Sequence, residues 1–389
     1  MVESRARRLF GNPGEHARFS RVSAGSSTVS DCEVLRRLAT VVFCHMLVNV
    51  TGFCWGHSLF RPRRGVSKAR NSCKSRPGVS RAERTSTKVV QSLLGALALL
   101  IVAPSASGAQ LRIGGGLIEI EFVKSASAAW ESVARQWVER SARAVSDYFG
   151  KFPVARLRLR IASTAGDRAR NGTAYGWRGP FITIALGRDA TIASLADDWL
   201  LTHEMVHLAF PSLPERHHWL EEGLATYVEP IAQARAGVLT PERVWDDFVV
   251  GLPQGEPQSG DRGLDNTPTW GRTYWGGALF YLRADLLIRQ RTDNRYGLEH
   301  SLRAILAAGG SIDRDWTVDQ VLDVGDEAVG VPVLRELYEE MASQPVTVDL
   351  GTIWQQLGIR RQGNTVTFDD GAPLASIRNA ITPRVPRAR

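Results

Sequence analysis

Residues 200–229 decide the fold, and they read LLTHEMVHLAFPSLPERHHWLEEGLATYVE. The first half contains His203 and His207, one helical turn apart. Because each residue of an α-helix turns the chain by about 100°, a helix here places both imidazoles on one face. The two rings can therefore bind a single metal ion. Glu204 lies beside them, close enough to accept a proton but angled away from ligation.

The second half of this segment predicts a return helix. Pro211 and Pro214 favour a turn after the first helix, and the sequence HHWLEEGLA begins ten residues beyond His207. An antiparallel return would carry Glu222 back to the two histidines as a third ligand. Two imidazoles and one carboxylate leave a fourth position open on Zn²⁺, which is what hydrolysis requires.

Two features of the segment have alternative interpretations. The sequence HEMVH alone is also compatible with a helix that carries two partly buried histidines. His217 and His218 are adjacent and face different directions, so they cannot both complete a metal site. They are predicted to have a structural or a substrate-side role, with the structural role favoured.

The pair of sequences HEMVH and WLEEGLATYVE resembles the gluzincin metallopeptidases, and most closely the short-spacer members of the peptidase MA-like family. In that pattern the glutamate directly before Gly-Leu-Ala is the third ligand, which implies Glu222 and not Glu221. The resemblance implies one Zn²⁺ ion held by His203, His207 and Glu222. It further implies that Glu204 is the catalytic general base and that the substrate is a peptide or protein.

A second informative stretch, residues 272–292, predicts a buried helix in which Gly276 and Gly277 allow another backbone to approach. It resembles a helix of the glycyl aminopeptidase catalytic domain through Tyr-x-Gly-Gly-Ala followed by Asp285, Ile288, Arg289 and Thr292. In gluzincins, a tyrosine after the glutamate ligand donates a hydrogen bond to the oxyanion. This implies Tyr274, with Tyr281 second. The alternative is that Tyr274 is a core residue.

The resemblance implies an α+β, zincin-like metallopeptidase fold, in which a small N-terminal mixed sheet with helices precedes a mostly helical subdomain. Alternating apolar residues predict strands over residues 117–122, 156–161 and 181–186, and helical spacing predicts a long helix over 128–149. In the resembled fold, an edge strand just before the zinc helix binds the substrate backbone. The strand at 181–186 is the candidate, with Tyr175 and Trp177 near the cleft.

The chain divides into five predicted segments. They are a basic upstream extension (1–80), a secretory signal peptide (81–109), an α/β subdomain with the substrate-edge strand (110–192), a zinc-binding helical catalytic subdomain (193–345) and a small closing module (346–389). The zinc helix is predicted from Ser194 to about Phe210. The ligand helix is predicted from about Arg216 to Glu229, where Pro230 should end or kink it.

The charge is unevenly distributed along the chain. Residues 1–109 contain 17 Lys and Arg against 5 Asp and Glu, a net charge of +12, whereas residues 110–389 contain 31 against 35, a net charge of −4. The charge of the main body therefore gives no support for nucleic-acid binding. All four cysteines lie before residue 74. The cysteine content of residues 110–389 therefore does not indicate whether the protein occupies an oxidising or a reducing compartment.

A targeting signal is predicted from residues 81–109. Three basic residues precede the uncharged run VVQSLLGALALLIVA, and small residues occupy Ser107 and Ala109. This order is typical of a secretory signal cleaved before Gln110, and the run is short for a membrane span. We therefore expect an exported protein, periplasmic or secreted. The alternative is an uncleaved N-terminal anchor, and residues 1–80 are interpreted as an extension from a misjudged start.

The sequence predicts a zinc metallopeptidase in which Glu204 takes a proton from the attacking water and passes it to the leaving amine. Two departures from the well-known aminopeptidases leave the exo or endo mode open: the spacer between His207 and Glu222 is shorter, and no Gly-x-Met-Glu-Asn segment is present. The alternative function is an inactive zincin-fold binding or scaffold protein at the cell envelope. Glu204 argues against it, since a structural metal site has no use for that carboxylate.

Overall fold

The computed structural model describes residues 108–384. The predicted upstream extension and nearly all of the predicted signal peptide lie outside these residues. The last two signal-peptide positions, Gly108 and Ala109, belong to the first strand and pair with Glu121 and Ile120. Within the described part of the chain, no helix has the length and apolarity that a membrane crossing demands.

A five-stranded mixed sheet forms the N-terminal part. Its strands are β1 (Gly108–Ile113), β2 (Gly116–Val123), β3 (Arg156–Thr164), β4 (Ala169–Tyr175) and β5 (Phe181–Gly187), in the order β1-β2-β3-β5-β4. β2, β3 and β5 run parallel to one another, and the two outer strands are antiparallel to their neighbours. All three predicted strands are therefore confirmed.

Helix α1 (Ala128–Phe149) packs on the apolar face of this sheet. The side chain of Ser127 accepts a hydrogen bond from the backbone N–H of Trp130 at the N-terminus, and Gly150 ends the helix in the left-handed conformation with φ 79°. The indole of Trp130 donates to the carbonyl of Gly187 on β5, at 2.8 Å. The long predicted helix is confirmed, and it connects the neighbouring parallel strands β2 and β3.

The prediction that residues 181–186 form an edge strand is wrong. β5 is hydrogen-bonded to β3 on one side and to β4 on the other. The edge strand is β4, over whose residues the sequence predicts no strand. Its side chains are mostly exposed, and a bulge between Arg170 and Thr173 shifts the register. Exposure and a register shift both remove the alternating apolar pattern by which a strand is recognised in a sequence.

The rest of the described chain is mostly helical. In order it comprises α2 (Leu200–His207), α3 (His218–Arg235), α4 (Pro241–Gly251), a π-helical turn (Gly271–Gly276), α5 (Gly277–Arg291), α6 (Leu298–Ala307), α7 (Val318–Val329), α8 (Val333–Met341), α9 (Leu350–Leu357), strands β6 (Ile359–Gln362) and β7 (Thr365–Phe368), and α10 (Ala375–Ile381). β6 and β7 form an antiparallel hairpin. A sheet followed by helices confirms the predicted α+β class.

Two predicted helix boundaries are wrong. The zinc helix, α2, begins at Leu200 and not at Ser194, because Ser194 and Thr191 exchange hydrogen bonds between side chains and backbone N–H groups in a turn. The ligand helix, α3, continues through Pro230 to Arg235. Every residue from Gly223 to Ala234 is buried, so packing on both sides of the proline offsets its local cost of about 3 kcal/mol.

Candidate metal centre

Helices α2 and α3 bring three side chains to one point. The Nε2 atom of His203 lies 3.2 Å from Oε2 of Glu222, and Nε2 of His207 lies 3.6 Å from the same oxygen. One ligand atom from each of the three residues lies within 4.8 Å of the others. Within residues 108–384 this is the one group of three or more His, Cys, Asp or Glu side chains with that geometry.

The chemistry of this group fits a divalent cation such as zinc. Two imidazoles and one carboxylate are a ligand set that leaves a position open, as hydrolytic zinc sites do. The His203 side chain is 6% exposed, and those of His207 and Glu222 are each 12% exposed. The centre is thus nearly closed, yet it keeps access to solvent.

The position of Glu222 depends on a glycine contact between α3 and α5. A Cβ atom at Gly223 would lie 2.3 Å from the Cα of Gly277, and one at Gly277 would lie 2.2 Å from the carbonyl oxygen of Trp219. Neither distance is sterically possible, so both positions require glycine. The contact lets the backbones meet, and it brings the π-helical turn before α5 up to Glu222.

Tyr274 lies in that π-helical turn, beside the three candidate ligands. Its ring stacks on His203 at 6.4 Å, and its hydroxyl hydrogen-bonds to Glu222. Burial, together with the carboxylates of Glu222 and Glu204, raises the pKa of Tyr274 well above its ordinary value, so the hydroxyl remains a donor. Tyr281, the second candidate, instead donates to the carbonyl of Leu220 in the core, at 3.0 Å.

The side chain of Glu204, on α2, faces the edge strand. It is 7% exposed, and its side chain abuts Gly172 in the bulge of β4, where a Cβ atom would lie 2.8 Å from both Cγ and Oε1 of Glu204. The absence of a side chain at Gly172 therefore makes room for this carboxylate. Sequence reasoning missed Gly172, although a glycine within a strand often marks a close approach.

The pKa values of Glu222 and His207 are shifted because the candidate ligands lie close together. Burial alone would raise the pKa of Glu222, but the imidazoles of His207, His203 and His218 hold it well below its usual range. Burial alone would lower the pKa of His207, but Glu222 raises it to about 8. In the metal-free protein at neutral pH, His207 therefore carries a proton and Glu222 is ionised.

The adjacent histidines have different surroundings. His217 is buried, and its Nδ1 lies 2.9 Å from Oδ1 of Asp265, in a cluster separate from the candidate ligands. The His218 side chain is 44% exposed, and its Nε2 lies 3.4 Å from Oε1 of Glu222. Thr226 donates to the backbone carbonyl of Glu222 at 2.8 Å, so in this structure it supports the helix backbone.

Two aromatic residues that the sequence places near the cleft lie around the end of β4. Tyr175, the last residue of the strand, is 46% exposed and stacks on Phe181 at 6.1 Å. Trp177, in the following turn, is 76% exposed and lies under the guanidinium of Arg178. Their contact with a substrate stays a prediction.

The fold is similar to that of a solved structure. The aminopeptidase N family protein from Idiomarina loihiensis matches with a TM-score of 0.52 and 12% sequence identity, over 66% of this chain and 50% of that chain. An M1 zinc metallopeptidase from Deinococcus radiodurans has a TM-score of 0.43 and 17% identity, over 62% and 52% of the two chains. No protein-family model matches the sequence, and no curated protein is significantly similar to it.

The first of these comparisons confirms, at the level of fold, the resemblance to gluzincin metallopeptidases. The chain spans about half the length of the two solved structures. What those proteins bind and cleave therefore enters only as a proposal for this chain.

Proposed function

We propose that this protein is an exported zinc peptidase that hydrolyses peptide bonds with Glu204 as its general base. The observation that carries this proposal is the convergence of His203, His207 and Glu222, with the carboxylate of Glu204 next to them on the same helix. A buried carboxylate placed beside a metal-ligand group, yet outside it, is what general-base hydrolysis needs.

His203, His207 and Glu222 would hold one Zn²⁺ ion. When bound, the ion would polarise the scissile carbonyl and make a water molecule more acidic. Glu204 would take the proton from the attacking water and deliver it to the leaving amine. Tyr274 would turn its O–H from Glu222 to the oxygen on which negative charge develops. The raised pKa of this tyrosine favours the proposal, since only the protonated form donates.

The substrate would be a peptide or protein segment in extended conformation. Among the described strands, β4 lies at the edge of the sheet and against α2, and its Gly172 contacts Glu204. A peptide paired with β4 would therefore place a carbonyl near the general base. Export is proposed from the signal sequence alone, and a mature N-terminus at Gln110 by mass spectrometry would support it. A peptide from residues 1–80 in the mature protein would contradict it.

Replacement of the general base tests the reaction. We expect Glu204→Gln to retain one zinc per chain but to lose turnover of a peptide library by about a hundredfold to ten-thousandfold. Glu215→Gln, at an exposed acid just before α3, is the matched control and should keep wild-type activity. Wild-type turnover by Glu204→Gln would exclude the mechanism. Zinc binding without turnover of any peptide by the wild type would favour the inactive binding protein.

A further inference from the structure

The two carboxylate oxygens of Glu222 face different partners. Oε2 lies between the imidazoles of His203 and His207, at 3.2 and 3.6 Å. Oε1 lies 3.4 Å from Nε2 of His218. The candidate ligand atom and the second oxygen of the same side chain are therefore held by separate groups.

His218 is oriented by a further contact. Its Nδ1 atom lies 3.7 Å from Oε2 of Glu221, and Oε1 of Glu221 accepts the backbone N–H of Leu213 at 2.8 Å. Leu213 belongs to the short connection between α2 and α3. Polar side chains thus lie in sequence from the backbone of this connection, past Glu221 and His218, to Glu222.

His218 does not act as a fourth member of the ligand group. The set of atoms within 4.8 Å of one another comprises His203, His207 and Glu222, and His218 meets Glu222 on the opposite oxygen. It lies one helical turn before Glu222 on α3, a spacing that keeps two side chains on one face. Its position therefore suits a contact with the ligand side chain.

We propose that His218 is a positioning residue that holds Oε1 of Glu222 and so presents Oε2 alone to the metal. This inference rests on the proposed zinc-peptidase function. A glutamate held at one end only can rotate and offer either oxygen, whereas a hydrogen bond to one oxygen fixes which atom ligates. Loss of a partner that orients a metal ligand usually costs about tenfold to a hundredfold in metal affinity.

Zinc affinity, measured by competition with a chromophoric chelator, tests this role without an activity assay. We expect His218→Ala to weaken zinc binding by about tenfold and to change the visible absorption bands of the Co²⁺-substituted protein. His218→Gln retains an amide N–H that can reach Oε1, so it should restore most of the affinity and the wild-type spectrum. The melting temperature of the metal-free protein should be the same in both variants.

His300→Ala is the matched control. The side chain of His300 is 38% exposed, close to the 44% of His218, and it lies at the start of α6 beside Glu299. This variant should bind zinc as the wild type does. Equal losses in His218→Ala and His300→Ala would overturn the inference, because they would show a general loss of stability.

Three other outcomes separate this inference from the proposed function. Wild-type zinc affinity and an unchanged Co²⁺ spectrum in His218→Ala, with tight binding by the wild type, would overturn the positioning role alone. A raised KM in that variant with unchanged zinc affinity would also overturn it, since it would assign His218 to the substrate. Failure of the wild-type protein to bind zinc would overturn both proposals.

Discussion

Two clusters beside the N-terminal end of α3 each join histidine to carboxylate, and they differ in what surrounds the carboxylate. In the first, Asp265 is surrounded by donors: the indole of Trp219 at 2.7 Å, the hydroxyl of Tyr338 at 3.0 Å and Nδ1 of His217 at 2.9 Å. Arg216 donates to Nε2 of His217 at 2.8 Å, so the ring proton lies on Nδ1, toward Asp265.

In the second cluster, three atoms that can each bind a cation converge on one point. Nε2 of His203, Nε2 of His207 and Oε2 of Glu222 face one another. Such a group repels itself unless a proton or a cation lies between its members. The difference is that Asp265 is satisfied by protein donors, whereas Oε2 of Glu222 lies beside two ring nitrogens that could bind the same cation.

The largest expected contrast concerns zinc affinity. Glu222→Ala removes one of three ligands, so its affinity should fall by more than about a hundredfold, beyond the usual cost of losing a residue that only orients a ligand. Asp265→Ala should keep wild-type affinity, because Asp265 contacts none of the candidate ligands. Isothermal titration of zinc into the purified variants measures both. Similar losses in the two variants would break the distinction between the clusters.

For the free energy of unfolding, the larger loss should come from the Asp265 variant and not from the Glu222 variant. Asp265→Ala leaves the N–H of Trp219 and the O–H of Tyr338 without their buried acceptor, so the free energy of unfolding should fall by about 3 kcal/mol. Asp265→Asn keeps an acceptor oxygen and should lose much less. Urea unfolding of the metal-free proteins tests this, with Glu222→Ala as the comparison. A larger loss in Glu222→Ala than in Asp265→Ala would contradict the assignment.

The pH dependence of zinc binding should come from His207 in the second cluster and not from the cluster around Asp265. His207 carries a proton in the metal-free protein up to its pKa of about 8, and zinc must displace this proton. Apparent affinity should therefore rise about tenfold per pH unit below pH 8 and level off above it. Asp265→Ala should show the same slope. Titrations at several pH values check this, and an affinity independent of pH below 8 would contradict it.

The smallest effect should come from the edge strand. Gly172→Ala places a methyl group against the carboxylate of Glu204, so kcat should fall by about tenfold through misplacement of the base, while zinc affinity stays unchanged. Gly351→Ala in α9 is the control, because its Cβ would approach only the side-chain oxygen of Asp349, at 3.3 Å. Full activity in Gly172→Ala would show that the base is positioned without this contact.

Much of the fold could be predicted from the sequence, because apolar residues recur in it at the spacing of the buried face of a strand or a helix. The alternation in β2, β3 and β5 and the helical spacing in α1 report one buried face each. The approach of Glu222 to His203 and His207 could also be foreseen, because a turn and a return helix leave few other geometries. These predictions depend on neighbours that are close in sequence.

The rest depends on contacts that are distant in sequence. β4 is an exposed edge without alternation, so nothing in its own residues marked it as a strand. The prediction that the helix ends at Glu229, before Pro230, considered only the local cost and not the burial on both sides of the proline. Asp265 lies 48 residues from His217, and only the folded chain shows that the two meet. Gly172 is likewise meaningful only once β4 lies against Glu204.

The glycine pair at 223 and 277 has a consequence for protein engineering. Replacing helical glycine with alanine is a common route to thermostability and gains up to about 1 kcal/mol per position. At these two positions the same change would wedge α3 and α5 apart, and it would move Glu222 away from Tyr274 at the same time. A stabilised version of this protein must therefore leave both glycines as they are and seek its gains in other helices.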